Sequence, residues 1–207
     1  SEPARAVSSR VTVSPDPFTL VKYDTEEIRA LLEDAAAVVG VPTDVDIHLE
    51  VDEVLFAPLV GHASDVVDGR VELWASGANF EDNRRPQHFS AEHARRDLTV
   101  MLLRAKDRLS EGFAGAPNDS ELTRAERAAW DAYAVGRAQR LGAKILRQAQ
   151  LYDYRLQHGF SDVADAAFER LWNAESMTFA GIQEICVETG AAERQTSKIP
   201  IDLLRQK

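Results

Sequence analysis

Val45-Asp46-Ile47-His48-Leu49-Glu50-Val51 alternates apolar and polar side chains without a break. A period of two marks a half-buried strand, because successive side chains of an extended chain point to opposite faces. Upstream the period is helical. Asp24, with Glu27 three residues later, reads as a capping box; Ile28, Leu31, Leu32 and Ala35 follow at helical spacing, and Gly40 and Pro42 end the run. Downstream, Val66-Val67-Asp68-Gly69-Arg70-Val71-Glu72-Leu73-Trp74 carries the Asp-Gly signature of a tight hairpin between two more strands. This order predicts an α+β fold with a small antiparallel or mixed sheet of about three or four strands.

Working outward, residues 1–23 read as an extended arm. Pro15 and Pro17 break any ladder, and an edge strand is expected around Arg10–Val13. Ser90 is a candidate N-cap for a helix running to about Ser110, with Ala94, Leu98, Met101, Leu102, Ala105 and Leu109 as a narrow apolar stripe. After a loop over Gly112 to Asp119, Thr123 and Glu126 form a second capping box. The pattern then stays helical to roughly Gln157. A rod of about 35 residues would span roughly 50 Å, so a kink is expected near Gly142. Ser161 and Thr178 cap two further helices. The expected division is an arm at 1–23, an α+β part at 24–112, a helical part of the same domain at 113–190, and a tail at 191–207 with an apolar cluster of Ile199, Ile201, Leu203 and Leu204.

The chain has 207 residues, 44% of them hydrophobic, enough for one domain with a real core. Its 34 acidic and 24 basic side chains give a net charge of −10, which argues against a protein that coats nucleic-acid phosphates. The single cysteine, Cys186, excludes intrachain disulfides and cysteine-cluster zinc fingers, and reads as a buried, inert thiol. No apolar run reaches the roughly 20 residues of a membrane span, and no signal segment opens the chain. The expected setting is soluble and cytoplasmic.

Dinucleotide- and phosphate-loop signatures, the Gly-x-Ser-x-Gly elbow and His-Glu-x-x-His are all missing. The five histidines are His48, His62, His88, His93 and His158. His88 and His93 are five apart, which on a helix turns them away from a shared ion, and each histidine reads as a surface or capping residue.

A capped helix, a strand, a hairpin and then a helix opening at Ser90 resemble the minimal zincin-like metalloproteases of bacteria. In that family an apolar run leads into His-Glu-x-x-His. Here Leu98-Thr99-Val100-Met101-Leu102-Leu103 leads into Arg104-Ala105-Lys106-Asp107-Arg108. The resemblance covers roughly residues 24–112. It implies a zincin-like scaffold with arginines at both metal-ligand positions and alanine at the general base. Arginine stays protonated and offers no lone pair to a metal, and alanine cannot activate water, so no metal and no cofactor are expected.

Arg104 and Arg108, with His93 and Asp97 on the same side of the helix, offer a fork for a small anion. The competing reading is that they pair with acids of residues 41–70, among them Asp65. On the long helix Arg137, Arg140, Lys144, Arg147 and Arg155 share one arc, with Trp130 and Tyr133 on or beside it. Such a face suits an acidic protein surface or an anionic membrane, and nucleic acid least on a chain of this charge. The reading preferred over these is that the acidic residues 161–190 fold back over the face and neutralise it. The functional expectation is a non-catalytic intracellular protein that binds a protein partner or its own copies. The candidate contacts are Trp130, Tyr133, Arg137, Arg140, Lys144, Arg147 and the tail residues Ile199, Ile201, Leu203 and Leu204. The alternatives are a metal-dependent hydrolase using His48, His62 or His93 with nearby acids, and a binding module for a small anionic ligand.

Overall fold

The computed structural model describes residues 10–53 and 61–194. Strand β1 (Val11–Ser14) runs parallel to β2 (Ile47–Asp52), and β2 runs parallel to β4 (Arg70–Ser76). The hairpin partner β3 (His62–Val67) lies antiparallel on the far side of β4, giving a mixed sheet in the order β1-β2-β4-β3. The turn between β3 and β4 places Asp68 and Gly69 at φ 51° and 75°, the left-handed pair that an Asp-Gly hairpin requires. Ile47 pairs with Val11 on one side and Val71 on the other, and Leu49 with Val13 and Leu73, so one face of β1, β2 and β4 is apolar, and β3 adds the polar Ser64 and His62 to it opposite Leu73 and Ala75. The arm thus supplies an edge strand, as the sequence predicts.

Helix α1 (Thr25–Val39) crosses from β1 to β2. The Asp24 carboxylate accepts from the Glu26 and Glu27 N–H groups, and Gly40 at φ 78° ends the helix. Ile28, Leu31, Leu32, Ala35, Ala36 and Val39 form its buried face. A two-stranded ribbon, β5 (Glu81–Asp82) and β6 (Arg85–Phe89), precedes α2 (Ala91–Arg108), whose first turn Ser90 caps. Helix α1 packs on β1, α2 on β3, and the two helices on each other, so both cover one side of the sheet.

The narrow stripe expected on α2 is wider in the fold. Every residue from Asp97 to Ala105 is buried, because α2 lies between the first layer and a helical second half. At the centre of that half α3 (Arg124–Arg140) touches α2, α4 (Arg147–His158), α5 (Asp162–Asn173) and α6 (Phe179–Glu188); α7 (Ala191–Arg194) packs on α6. The Thr123/Glu126 capping box is fully formed. The rod expected to run to Gln157 is two helices. Leu141 and Ala143 donate back to Ala138 and Gly142 takes φ 96°, so the chain turns at the predicted kink and α4 packs on α3 through Leu151, Tyr154 and His158. One continuous core links both halves.

Candidate functional site

The second half of α2 carries Arg104 and Arg108, one turn apart on one face. Arg104 is 0% exposed, and it forks onto Asp119 through Nη1–Oδ2 at 2.8 Å and Nη2–Oδ1 at 2.5 Å. Arg108 donates to Oδ1 of the same carboxylate at 2.6 Å. Arg127, in the first turns of α3, donates from Nη1 to Oδ2 at 2.9 Å and from Nε to Asp131 at 2.8 Å. Asp119 opens a 3-10 turn (Asp119–Glu121) after the loop that follows α2, and its own N–H is held by Asp65 Oδ1 at 2.8 Å. Burial alone would raise the Asp119 carboxyl; the guanidiniums of Arg104, Arg127 and Arg108 overcome it and hold it well below the usual carboxylate range.

The same cluster closes the outer edge of the sheet. Ser64 N–H donates to Asp119 Oδ2 at 2.8 Å, Ser64 C=O accepts from Arg108 Nε at 2.7 Å, and His62 C=O accepts from Arg127 Nη2 at 2.8 Å. These are backbone groups of β3 on the side away from β4, where an added strand would pair. Arg127 also donates to His62 Nδ1 at 3.1 Å. A guanidinium only donates, so Nδ1 is the lone-pair nitrogen and the imidazole proton sits on Nε2. Burial and the Arg127 charge push this histidine down to about 4, neutral at physiological pH.

Below this cluster lies a second one. Asp107 accepts from Trp130 Nε1 at 2.8 Å and from both terminal nitrogens of Arg137 at 2.8 and 2.7 Å. Trp130 stacks on Phe113 with centroids 4.6 Å apart, and the guanidiniums of Arg104 and Arg108 each sit 4.7 Å from its ring. Lys106 caps α1 by donating to Val39 C=O at 2.9 Å. Every side chain from Arg104 to Arg108 that bears a polar group is therefore engaged by the chain itself.

The predicted site residues divide accordingly. Arg104 and Arg108 do fork a carboxylate, but it belongs to Asp119, so the anion they hold is internal. His93 is not with them. It sits about 16 Å back along α2 at helical rise, with Nδ1 against Glu81 C=O at 2.8 Å. Trp130 and Tyr133 are buried, which corrects the expectation of aromatic contacts on an outer face. Arg137 serves Asp107 and lies over the Tyr133 ring at 3.6 Å; Arg140 caps α5 through Trp172 and Ala174 C=O at 2.6 and 2.9 Å. Lys144 pairs with Glu92 at 2.7 Å, Arg147 with Glu169, and Arg155 with Asp165. The basic arc is thus neutralised within the chain, and only part of that comes from the acids of residues 161–190. His158, read as a surface or capping residue, is buried between Thr189 Oγ1 and Ala125 C=O, both at 2.8 Å. Ile199, Ile201, Leu203 and Leu204 lie outside the described residues. Asp119, Arg127 and Asp131 were not singled out by sequence; the i, i+4 pair Arg127/Asp131 was the one readable signal.

Two cavities flank the clusters. One of about 590 Å³ is lined by Leu103, Phe113, Met177, Lys106 and Arg140 among others. Another, of about 250 Å³, lies between α3 and α4 and is lined by Arg124, Asp131 and Asp153. Burial and the nearby Asp131 raise the Asp153 carboxyl. Among the described residues no three or more His, Cys, Asp or Glu side chains converge as a metal site would require, and no helix is long and apolar enough to cross a membrane. Comparison with models of known protein families, with curated proteins and with solved structures returns no match to this chain.

Proposed function

We propose that the chain is a non-catalytic protein-binding protein on a zincin-like scaffold, whose would-be metal position is filled by an ion cluster. The observation that carries this reading is the buried Asp119 carboxylate gripped by Arg104, Arg108 and Arg127. In a metal hydrolase of the resembled kind, the α2 positions would present lone pairs to a cation. Here they present fixed positive charge to an anion, the inverse electrostatic arrangement. The closed outer edge of β3 supports the same reading, because an extended peptide substrate would need those backbone groups free. What is left for function is the surface. A cytoplasmic setting belongs to the same proposal and rests on composition, including a lone thiol that burial pushes up to about 12.

The test is metal analysis of the purified chain after incubation with zinc and manganese, together with a hydrolysis assay on a mixed peptide library. No stoichiometric metal and no cleavage are expected. One ion per chain, lost on substitution within Arg104–Arg108, would overturn the reading.

A further inference from the structure

The outer face of α4 is apolar although its inner face is already buried. Leu151, Tyr154 and His158 point into the core, while Tyr152 and Leu156, a turn apart, stand 55% and 54% exposed. Phe160, just beyond the helix, is 64% exposed and meets Tyr152 edge-on with centroids 6.0 Å apart; Val163 of α5 is 50% exposed. Ala149 lies in the same stripe, a small residue that lets another helix come close. An amphipathic helix normally buries one stripe; this one carries two.

We propose that this face, centred on Leu156 and Phe160, is the contact through which two copies of the chain pair about a two-fold axis. The proposal rests on the protein-binding reading for the kind of occupant and names that occupant as a second copy. Area is the first argument. Four side chains at half exposure or more present on the order of 100 Å² each, and Leu146, 80% exposed at the start of α4, extends the patch. Doubled across a two-fold axis, the patch reaches about 1,000 Å², the lower bound for a specific interface. Charge is the second argument. Arg147 and Arg155 on α4 are already paired with Glu169 and Asp165, which leaves Asp153 as the remaining charge of the helix. A partner chosen by opposite charge would find little on α4 to recognise, whereas an apolar stripe on a straight helix is complementary to itself in an antiparallel pair.

Net charge sets the salt dependence. Two copies at −10 repel, and the contact itself is apolar, so added salt should tighten the pair by screening. The experiment is sedimentation velocity on the full chain from about 1 to about 100 µM, the range in which a small interface populates both states, at about 0.15 and about 0.5 M salt. A monomer–dimer equilibrium that tightens with salt is expected. Leu156→Asp and Phe160→Asp should each weaken it at least about tenfold, as a charge buried at the centre of an interface does. Val187→Asp, at a position on α6 that is 70% exposed, should not. Circular dichroism melts control for folding, and both substituted side chains are more than half exposed. A monomer at every concentration, whether because the face is bare or because residues 195–207 cover it, overturns the proposal. So does a dimer indifferent to both substitutions or loosened by salt. Metal content and hydrolysis test the non-catalytic reading and are untouched by this result.

Discussion

Asp119→Asn keeps the shape of the side chain and removes its charge. In the native fold the two carboxylate oxygens accept five hydrogen bonds, four from Arg104, Arg108 and Arg127 and one from Ser64 N–H. Asparagine keeps one acceptor oxygen and turns an NH₂ group toward guanidiniums that can only donate. Three cations would then lose most of their compensation in a site where Arg104 is wholly buried. Breaking a buried pair from one side typically costs about 3–5 kcal/mol, and three cations served by one anion place this case near the top, at about 5 kcal/mol. For a chain of this length that corresponds to a fall in Tm of roughly 10–20 °C. Urea titration and calorimetry at neutral pH measure it. A second variant supplies the control: Arg104→Met in the Asp119→Asn background removes one stranded charge and should restore part of the loss, giving a coupling energy of about 1–3 kcal/mol. A loss under about 1 kcal/mol for Asp119→Asn, with no coupling to Arg104, would show that water reaches the guanidiniums and that the cluster does not hold the halves together.

Trp130→Ala removes a fully buried ring that stacks on Phe113 and donates to Asp107, and should cost about 3–5 kcal/mol in chemical denaturation. Gly136→Ala should destabilise by about 1–3 kcal/mol despite the better helix propensity of alanine, because its Cβ would come within 2.2 Å of the Trp172 carbonyl oxygen and push α5 off α3; an unchanged Tm would refute that close approach. His62 has a folded-state pKa of about 4, below the ordinary 6.5, so the unfolded chain binds the proton first and stability should fall as pH drops from about 6.5 toward about 4; His62→Gln should flatten that part of the stability–pH curve. Lys144→Glu, at a pair with both side chains more than half exposed, should change stability by less than about 1 kcal/mol, whereas Arg137→Glu should cost several times more, because it sets a second carboxylate against the buried Asp107.

The elements were legible where one local rule dominates. The change of period at Val45, the Asp68-Gly69 turn and the caps at Asp24, Ser90, Thr123, Ser161 and Thr178 all act within a few residues, and the fold uses each. Trp130 lies beside the basic arc by helical angle, so spacing left it between a partner contact and a core position, and the fold buries it. Helix α3 is surrounded by four other helices, so its alanine-rich faces are buried nearly all round and no dry stripe separates from a wet one. The partner of Arg104 was not legible at all. Asp119 follows a loop and reaches the arginine only through tertiary geometry, and the acids of residues 41–70 looked equally available. Asp65 from that group does contribute, at 3.8 Å from Arg108 and through the Asp119 N–H. Sequence spacing can pair residues on one helix; it cannot choose among carboxylates on different elements.

The side chains that seal β3 also act as a guard against templated growth. A bare outer strand recruits identical strands, and nature usually blunts such edges with lysine, proline or a bulge. Here the blocking groups are ionised, so the protection has a pH limit. Asp119 has a depressed folded-state pKa, so its stabilisation is complete above the ordinary carboxylate range, shrinks as pH falls below about 4, and is lost only when strong acid reaches that depressed value and protonates it. Once that happens the grip on Ser64 N–H loosens, and Arg108 and Arg127, freed from their anchor, leave the carbonyls of Ser64 and His62 open. Strong acid therefore turns a closed sheet into a seed for intermolecular strand pairing, and fibril formation in that pH range should be faster still for Asp119→Asn.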